Sequence, residues 1–235
     1  MSDPFIQFSH VVKTYTSEEL IVRALDGMGF EINHGELVVI VGPSGSGKTT
    51  LLNLLGGMDS PTSGAILVDG QAVHGMTAKQ LTEYRRKDIG FVFQFYNLMP
   101  NLTALENVEL AVEICENPLE PRDVIESVGL RGREGSFPAQ LSGGEQQRVS
   151  IARAVAKNAR IVLCDEPTGA LDYDTGKKIL ALLRDVSRTS GNTVIIVTHN
   201  GALRAMADKV IAVKNGRAVE IMENPNPVPI EDIEW

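Results

Sequence analysis

The sequence predicts an α/β fold: a mostly parallel sheet covered on both faces by helices, joined to an antiparallel β subdomain and a helical subdomain. Three observations carry that prediction. Short, wholly apolar, β-branched runs recur along the chain, the pattern of buried parallel strands, and 37–41 (LVVIV) is the clearest. These runs alternate with segments of helical patterning, the order that strand–helix–strand crossovers produce. The stretch 97–134 interrupts the alternation with helical patterning, prolines and Glu-rich stretches. The 235 residues are read as one domain over 1–235, and 43% hydrophobic residues suffice for a full core without disulfides.

Taken in order, 6–14 and 23–32 read as strands flanking a loop, the second ending on the turn signal Asn33-His34-Gly35. The buried strand 37–41 leads through a Gly-rich loop into a helix over 48–55. Residues 65–68, with Asp69-Gly70 after them, read as half of a hairpin. A short helix over 77–86 takes Thr77 as its N-cap, and 89–93 is another buried strand. The helical subdomain is expected over about 97–145. It opens on Thr103 as N-cap with Glu106 in the capping-box position, and Pro118 and Pro121 read as breakers. Alternation then resumes: helix 144–156, strand 161–164, helix 174–189, strand 193–197, helix 200–207, strand 210–213. Asn215-Gly216 makes a tight hairpin into 217–221. The tail 224–235 is Pro-rich and acidic without periodicity, so an extended surface segment is expected. Trp235, the single tryptophan, could pack on the body or on a partner.

Composition narrows the function classes. The net charge is −8, a poor match to a phosphate backbone, so no nucleic-acid partner is expected. Cys115 and Cys164 have no CxxC spacing, and reduced thiols are the simpler reading. The first eight residues lack a basic segment followed by an apolar run, so no signal peptide is expected. The longest apolar stretches fall far short of the roughly 20 residues that span a bilayer. Action at a membrane would therefore require another subunit to supply the spans.

Two motifs carry phosphate chemistry. Gly42-Pro43-Ser44-Gly45-Ser46-Gly47-Lys48-Thr49, followed by Thr50, is a complete GxxxxGK[ST] loop between a buried strand and a helix. Glycines let backbone N–H groups converge on phosphate oxygens, and the helix N-terminus adds partial positive charge. Lys48 is expected to reach the β- and γ-phosphates and Thr49 to offer its hydroxyl to Mg²⁺. The second motif is the apolar run 161–164, which delivers Asp165 and Glu166 at a strand end. Asp165 is placed to hold Mg²⁺ through water, and Glu166 to orient or deprotonate an attacking water. Together these describe a P-loop NTPase.

Leu141-Ser142-Gly143-Gly144-Glu145-Gln146 resembles the signature sequence of ABC transporter ATPases. Ser142 and Gly144 open a second helix N-terminus, another anion-binding end. The resemblance spans about 6–221 and implies an ATPase with ATP and Mg²⁺ as cofactors, working as a head-to-tail pair. In that pair, Ser142, Gly143, Gly144 and Glu145 of each copy would cap the partner's γ-phosphate. Gln94 matches the glutamine that senses Mg²⁺ and water and links to the transmembrane subunit. Asp172 matches the loop that crosses the dimer interface, His199 the switch histidine on the γ-phosphate, and Tyr15 the aromatic that stacks on adenine. The implied catalytic set is Glu166, His199, Gln94 and Lys48, and the implied metal set is Thr49, Gln94 and Asp165.

The stretches 88–94, 97–100, 102–108 and 167–172 are similar to cassettes of the lipoprotein-releasing and macrolide-exporter type, a pattern that cell-division cassettes share. This implies a separate polypeptide at the cytoplasmic face of the cell membrane. A permease would be contacted near Gln94 and the helical subdomain and driven in export or mechanotransmission. A permease-like regulator of cell-wall hydrolases or of sensing is one alternative; a soluble ABC ATPase acting on nucleic acid is the other, disfavoured by the acidic charge and by the lack of coiled-coil insertions, zinc modules or a second cassette. The region between Val108 and Leu141 is short for that group, with 113–121 standing where a longer helical hairpin is found.

Overall fold

The computed structural model describes residues 3–17 and 20–234. Trp235 and the first two residues of the N-terminal stretch read above lie outside the described residues. The elements in chain order are β1 (Ile6–Thr16), β2 (Ile21–Ile32), β3 (Leu37–Val41), α1 (Lys48–Leu55), β4 (Ser63–Val68), β5 (Gln71–Ala72), α2 (Ala78–Lys87) and β6 (Ile89–Val92). There follow α3 (Ala104–Val112), α4 (Pro121–Ser127), α5 (Gly143–Ala156), β7 (Ile161–Asp165), α6 (Tyr173–Ser190), β8 (Thr193–Thr198), β9 (Lys209–Lys214) and β10 (Arg217–Glu223).

The strands form two sheets. A six-stranded sheet has the order β10-β9-β3-β8-β7-β6, parallel throughout except for β10, which returns antiparallel to β9. A four-stranded antiparallel sheet has the order β2-β1-β4-β5. Side chains along a strand point alternately to opposite faces, and the larger sheet uses that period to build two cores. Val38, Ile40, Leu163, Ile195 and Val197 face α1 and the antiparallel sheet. Leu37, Val39, Val162, Cys164, Val194 and Ile196 face α3, α4, α5 and α6. Burial on both faces is why β3, β7 and β8 are apolar at almost every position instead of alternating.

Helix starts follow their caps. Thr77 with Gln80, Thr103 with Glu106 and Ser142 with Glu145 close reciprocal capping boxes, and Asp172 caps α6. Three expectations change. Pro121 opens α4 at its first turn instead of breaking a helix, because that position has no intrahelical N–H bond to lose. The helix expected over 200–207 is a 3₁₀ helix, Gly201–Met206, capped by Asn200; so short a segment tightens to i→i+3 bonding. The tail lies largely at the surface, as expected of an extended segment, but it is anchored at two positions. A 3₁₀ turn at Ile230–Asp232 buries Ile230 and Ile233 in the core beside α6. Tyr173 Oη donates to the Ile233 carbonyl at 3.0 Å and Lys177 Nζ to that of Glu231 at 2.7 Å. Prolines and acids concealed an apolar pair three residues apart.

Candidate functional site

The carboxyl ends of β3, β7 and β8 converge on one cavity of about 850 Å³. The Gly-rich loop enters it between β3 and α1. Gly42 must be glycine, since a Cβ there would overlap the Val213 carbonyl oxygen and stand 2.8 Å from Ser46 Oγ. Gly47 caps α1 at φ 102, a left-handed conformation, against the Ala24 carbonyl. The β9–β10 turn supports the loop, with Gly216 N–H donating to the Ser46 carbonyl at 3.0 Å. Lys48, nearly buried, donates from Nζ to the carbonyls of Gly42 (2.7 Å) and Pro43 (3.0 Å). Its ammonium therefore stands over the loop whose amides would hold an anion.

Thr49 Oγ1 donates to Asp165 Oδ2 at 2.9 Å, bringing the two motifs into contact across 116 residues. Burial pushes the Asp165 carboxyl above the usual range, against the lowering effect of the Thr49 bond. A buried carboxylate beside a hydroxyl, in no ion pair among the described residues although the Lys48 charge acts on it, suits a divalent cation, which would remove that desolvation penalty. Glu166 follows at φ 50, an uncommon conformation for a non-glycine residue. The turn holds it there: its N–H donates to the Val197 carbonyl, and its carbonyl accepts from Gly169 N–H. Three donors fix the carboxylate. Thr198 Oγ1 donates to Oε2 at 2.9 Å, and His199 N–H donates to Oε1 at 2.9 Å. His199 Nδ1 stands 2.8 Å from Oε1 and donates when it carries the proton.

Ser44, Gly45, Gly47, Lys48, Thr49 and Thr50 line the cavity on one side. Gln94, Asp165, Glu166 and His199 line the other. Tyr15, Ser46, Ser142, Gly143, Gly144, Glu145 and Asp172 do not line it. Tyr15 turns its hydroxyl to Asp59 Oδ2 at 3.0 Å, with Lys13 Nζ 4.9 Å from its ring centre. Ser142 and Gly143 are exposed, and Glu145 is tied back to the Ser142 N–H. Cys164 is fully buried, and burial drives its thiol pKa far up, in keeping with a core residue.

The sequence reading missed Val22, Arg23, Ala24, Phe95, Tyr96, Gln147, Gly169 and Ala170 in the lining. Most adjoin recognised motifs, but Val22, Arg23 and Ala24 come from β2, and only tertiary packing brings them there.

A family model described as "ABC transporter" matches residues 25–169. An uncharacterized ABC transporter ATP-binding protein of Mycobacterium tuberculosis is 43% identical over 95% of this chain and 92% of its own length. A macrolide export ATP-binding/permease protein of Rhodospirillum rubrum is 44% identical over 96% of this chain but only 35% of its own. The chain likewise spans half of a Mycoplasma pneumoniae ABC transporter ATP-binding relative, which is 42% identical. The name of the macrolide relative joins cassette and permease, so the separate polypeptides implied for that group do not hold for it. Among solved structures, a dimeric ATP-binding cassette in a post-hydrolysis state with ADP and Pi superposes with a TM-score of 0.87. It is 40% identical over 93% of this chain and 98% of that one.

Proposed function

This chain belongs to the ABC transporter family, and from that premise we propose that it is the ATP-binding and ATP-hydrolysing cassette of a transporter. One observation carries the reading: a single cavity gathers the Gly-rich loop, Lys48, the Thr49–Asp165 contact and the Glu166–His199 pair. Loop amides and Lys48 hold the phosphates. Thr49, Gln94 and Asp165 would hold Mg²⁺, which supplies charge neutralisation across the transferring phosphoryl group. Glu166 orients a water and takes its proton as the water oxygen bonds to the γ-phosphorus and the bond to the β-phosphate oxygen breaks. His199, bound to that carboxylate through Nδ1, keeps it aimed and presents its other ring nitrogen to the cavity. Tyr15, which does not line the cavity in this structure, would have to turn from Asp59 to stack on the adenine as the resemblance implies.

The cassette acts as a pair. Solved relatives are dimeric, and the start of α5, with Ser142 and Gly143 exposed and Gly144 half-buried, stands outside its own cavity, where it would cap the nucleotide of a second copy. The loop that ends at Asp172 crosses between the copies. The helical segments after Gln94 meet a permease at the cytoplasmic face of a membrane, and the macrolide-export relative supports an export or mechanical task. Among the described residues no helix is long and apolar enough to cross a membrane.

Specific activity measured against protein concentration tests the paired mechanism. Turnover per subunit should rise as dimers form. Full turnover by a monomer that does not sediment as a pair during the reaction would overturn it.

A further inference from the structure

Residues three and four apart on a helix lie one above the other, so Gly143, Gln147 and Ser150 share one face of α5. The start of that helix is wedged between two loops of its own chain. A Cβ at Gly143 would stand 3.1 Å from the Tyr96 hydroxyl, and one at Gly144 3.2 Å from the Ala170 carbonyl oxygen. Gln147, one turn further in, lines the cavity with Gln94, Tyr96 and Ala170, yet is only 1% exposed. Among the described residues its Nε2, sealed from solvent, has no hydrogen-bond partner, and neither has Ser150 Oγ on the next turn.

A buried donor left unpaired destabilises the fold, whereas an apolar side chain of the same shape would not. Packing alone would therefore be better met by leucine at position 147. The loop beside it is also held out of repose. Tyr96 (φ 25) and Asn97 (φ 50) sit in the left-handed region, and Arg153 of α5 grips their carbonyls at 3.0 and 2.6 Å. The Phe95 carbonyl accepts from Asn97 N–H. Among the described residues no donor takes the carbonyls of Gln94, Leu98, Pro100 or Asn101 in this loop, and of these four residues Gln94 is the one that shares the cavity lining with Gln147.

We propose that Gln147 is a positioning residue: its amide donates to the Gln94 carbonyl only as the reacting state forms on bound nucleotide, and so sets the Gln94 side chain against the reacting phosphate. The inference rests on the cavity being the ATP site. It makes the unpaired amide a strained ground state that the reacting state relieves, as expected when an orphaned buried donor has a functional reason to persist.

Full-length Gln147→Leu and Gln147→Glu, with the parent, provide the test through three readouts: melting temperature without nucleotide, ATP dissociation constant and kcat. Gln147→Leu should melt no lower than the parent and bind ATP within about twofold of it. Both variants should lose about tenfold or more in kcat, the effect of one hydrogen bond made only in the reacting state. Lower melting of Gln147→Leu with unchanged kcat would make the residue a structural filler and overturn the proposal. Parent-like kcat in both variants, or a loss confined to ATP affinity, would overturn it as well. A parent that binds ATP without hydrolysing it would sink the ATPase reading itself and this inference with it, which separates the two failures.

Discussion

Replacing Glu166 by glutamine removes the charge of this side chain while keeping its shape. The carboxylate accepts from Thr198 Oγ1, His199 N–H and His199 Nδ1. A glutamine carbonyl can still accept both bonds from His199. Its NH₂ then faces Thr198 Oγ1, a hydroxyl that accepts as readily as it donates. The fold should therefore change by no more than about 1 kcal/mol, or about 2–4 °C in melting temperature for a chain of this size. ATP affinity should stay close to that of the parent, because Lys48 and the loop amides are untouched. The water loses its proton acceptor, so turnover should fall about 10²- to 10⁴-fold, roughly 3–5 kcal/mol of barrier. A thermal melt, ATP binding and phosphate release measure the three quantities, and in a size-exclusion run with ATP the variant should elute as an ATP-held dimer. Parent-like turnover would refute the assignment of Glu166. A large drop in melting temperature would show instead that the Thr198–Glu166–His199 bonds are mainly structural.

Further expectations can be checked singly. Gly42→Ala drives a methyl into the Val213 carbonyl oxygen and should destabilise the chain by about 1–3 kcal/mol in a denaturant titration. Asp165→Asn should raise the melting temperature at pH 7. Burial raises the folded carboxyl's pKa above its unfolded value, so this group's contribution is most favourable at low pH and is lost as pH rises through the raised value. The gain from the neutral amide should shrink on acidification, while Mg²⁺-dependent turnover is lost at every pH. Ile233→Ala empties a buried position under the tail, where Ile233 is 3% exposed, and should cost about 2–5 kcal/mol by thermal melt.

Much of the architecture was legible because each signal stood alone. LVVIV at 37–41 had no polar residue to divide it, and Gly47 and Lys48 marked where the loop became helix; β3 and α1 lie where those signals put them. Thr103 and Glu106 announced a helix start through one reciprocal pair of bonds. The misread segments are those where two signals competed. Pro121 both forbids a helix interior and favours a first turn, and only the chain before it decides which. In the tail, Pro225, Pro227 and Pro229 outweighed an Ile230/Ile233 pair whose meaning depends on α6 lying beneath it. At the site, the motifs named the phosphate-facing residues, but Gln147 carried no local mark. Its isolation as a donor is a property of its surroundings, and those come from loops some 25 and 50 residues away on either side of it.

Helix α1 lies in the seam between the two sheets. Leu51, Leu52, Leu54 and Leu55 pack in one cluster with Phe8 and Met28 of the small sheet and with Ile40 and Leu163 of the large one. A ligand gripped at the first turn of that helix thus holds a wedge on which both sheets lean. Amide protons of β1 and of β8, far apart in sequence and in different sheets, should become slow to exchange in step as the cavity fills, because neither sheet can peel away without freeing the same four leucines.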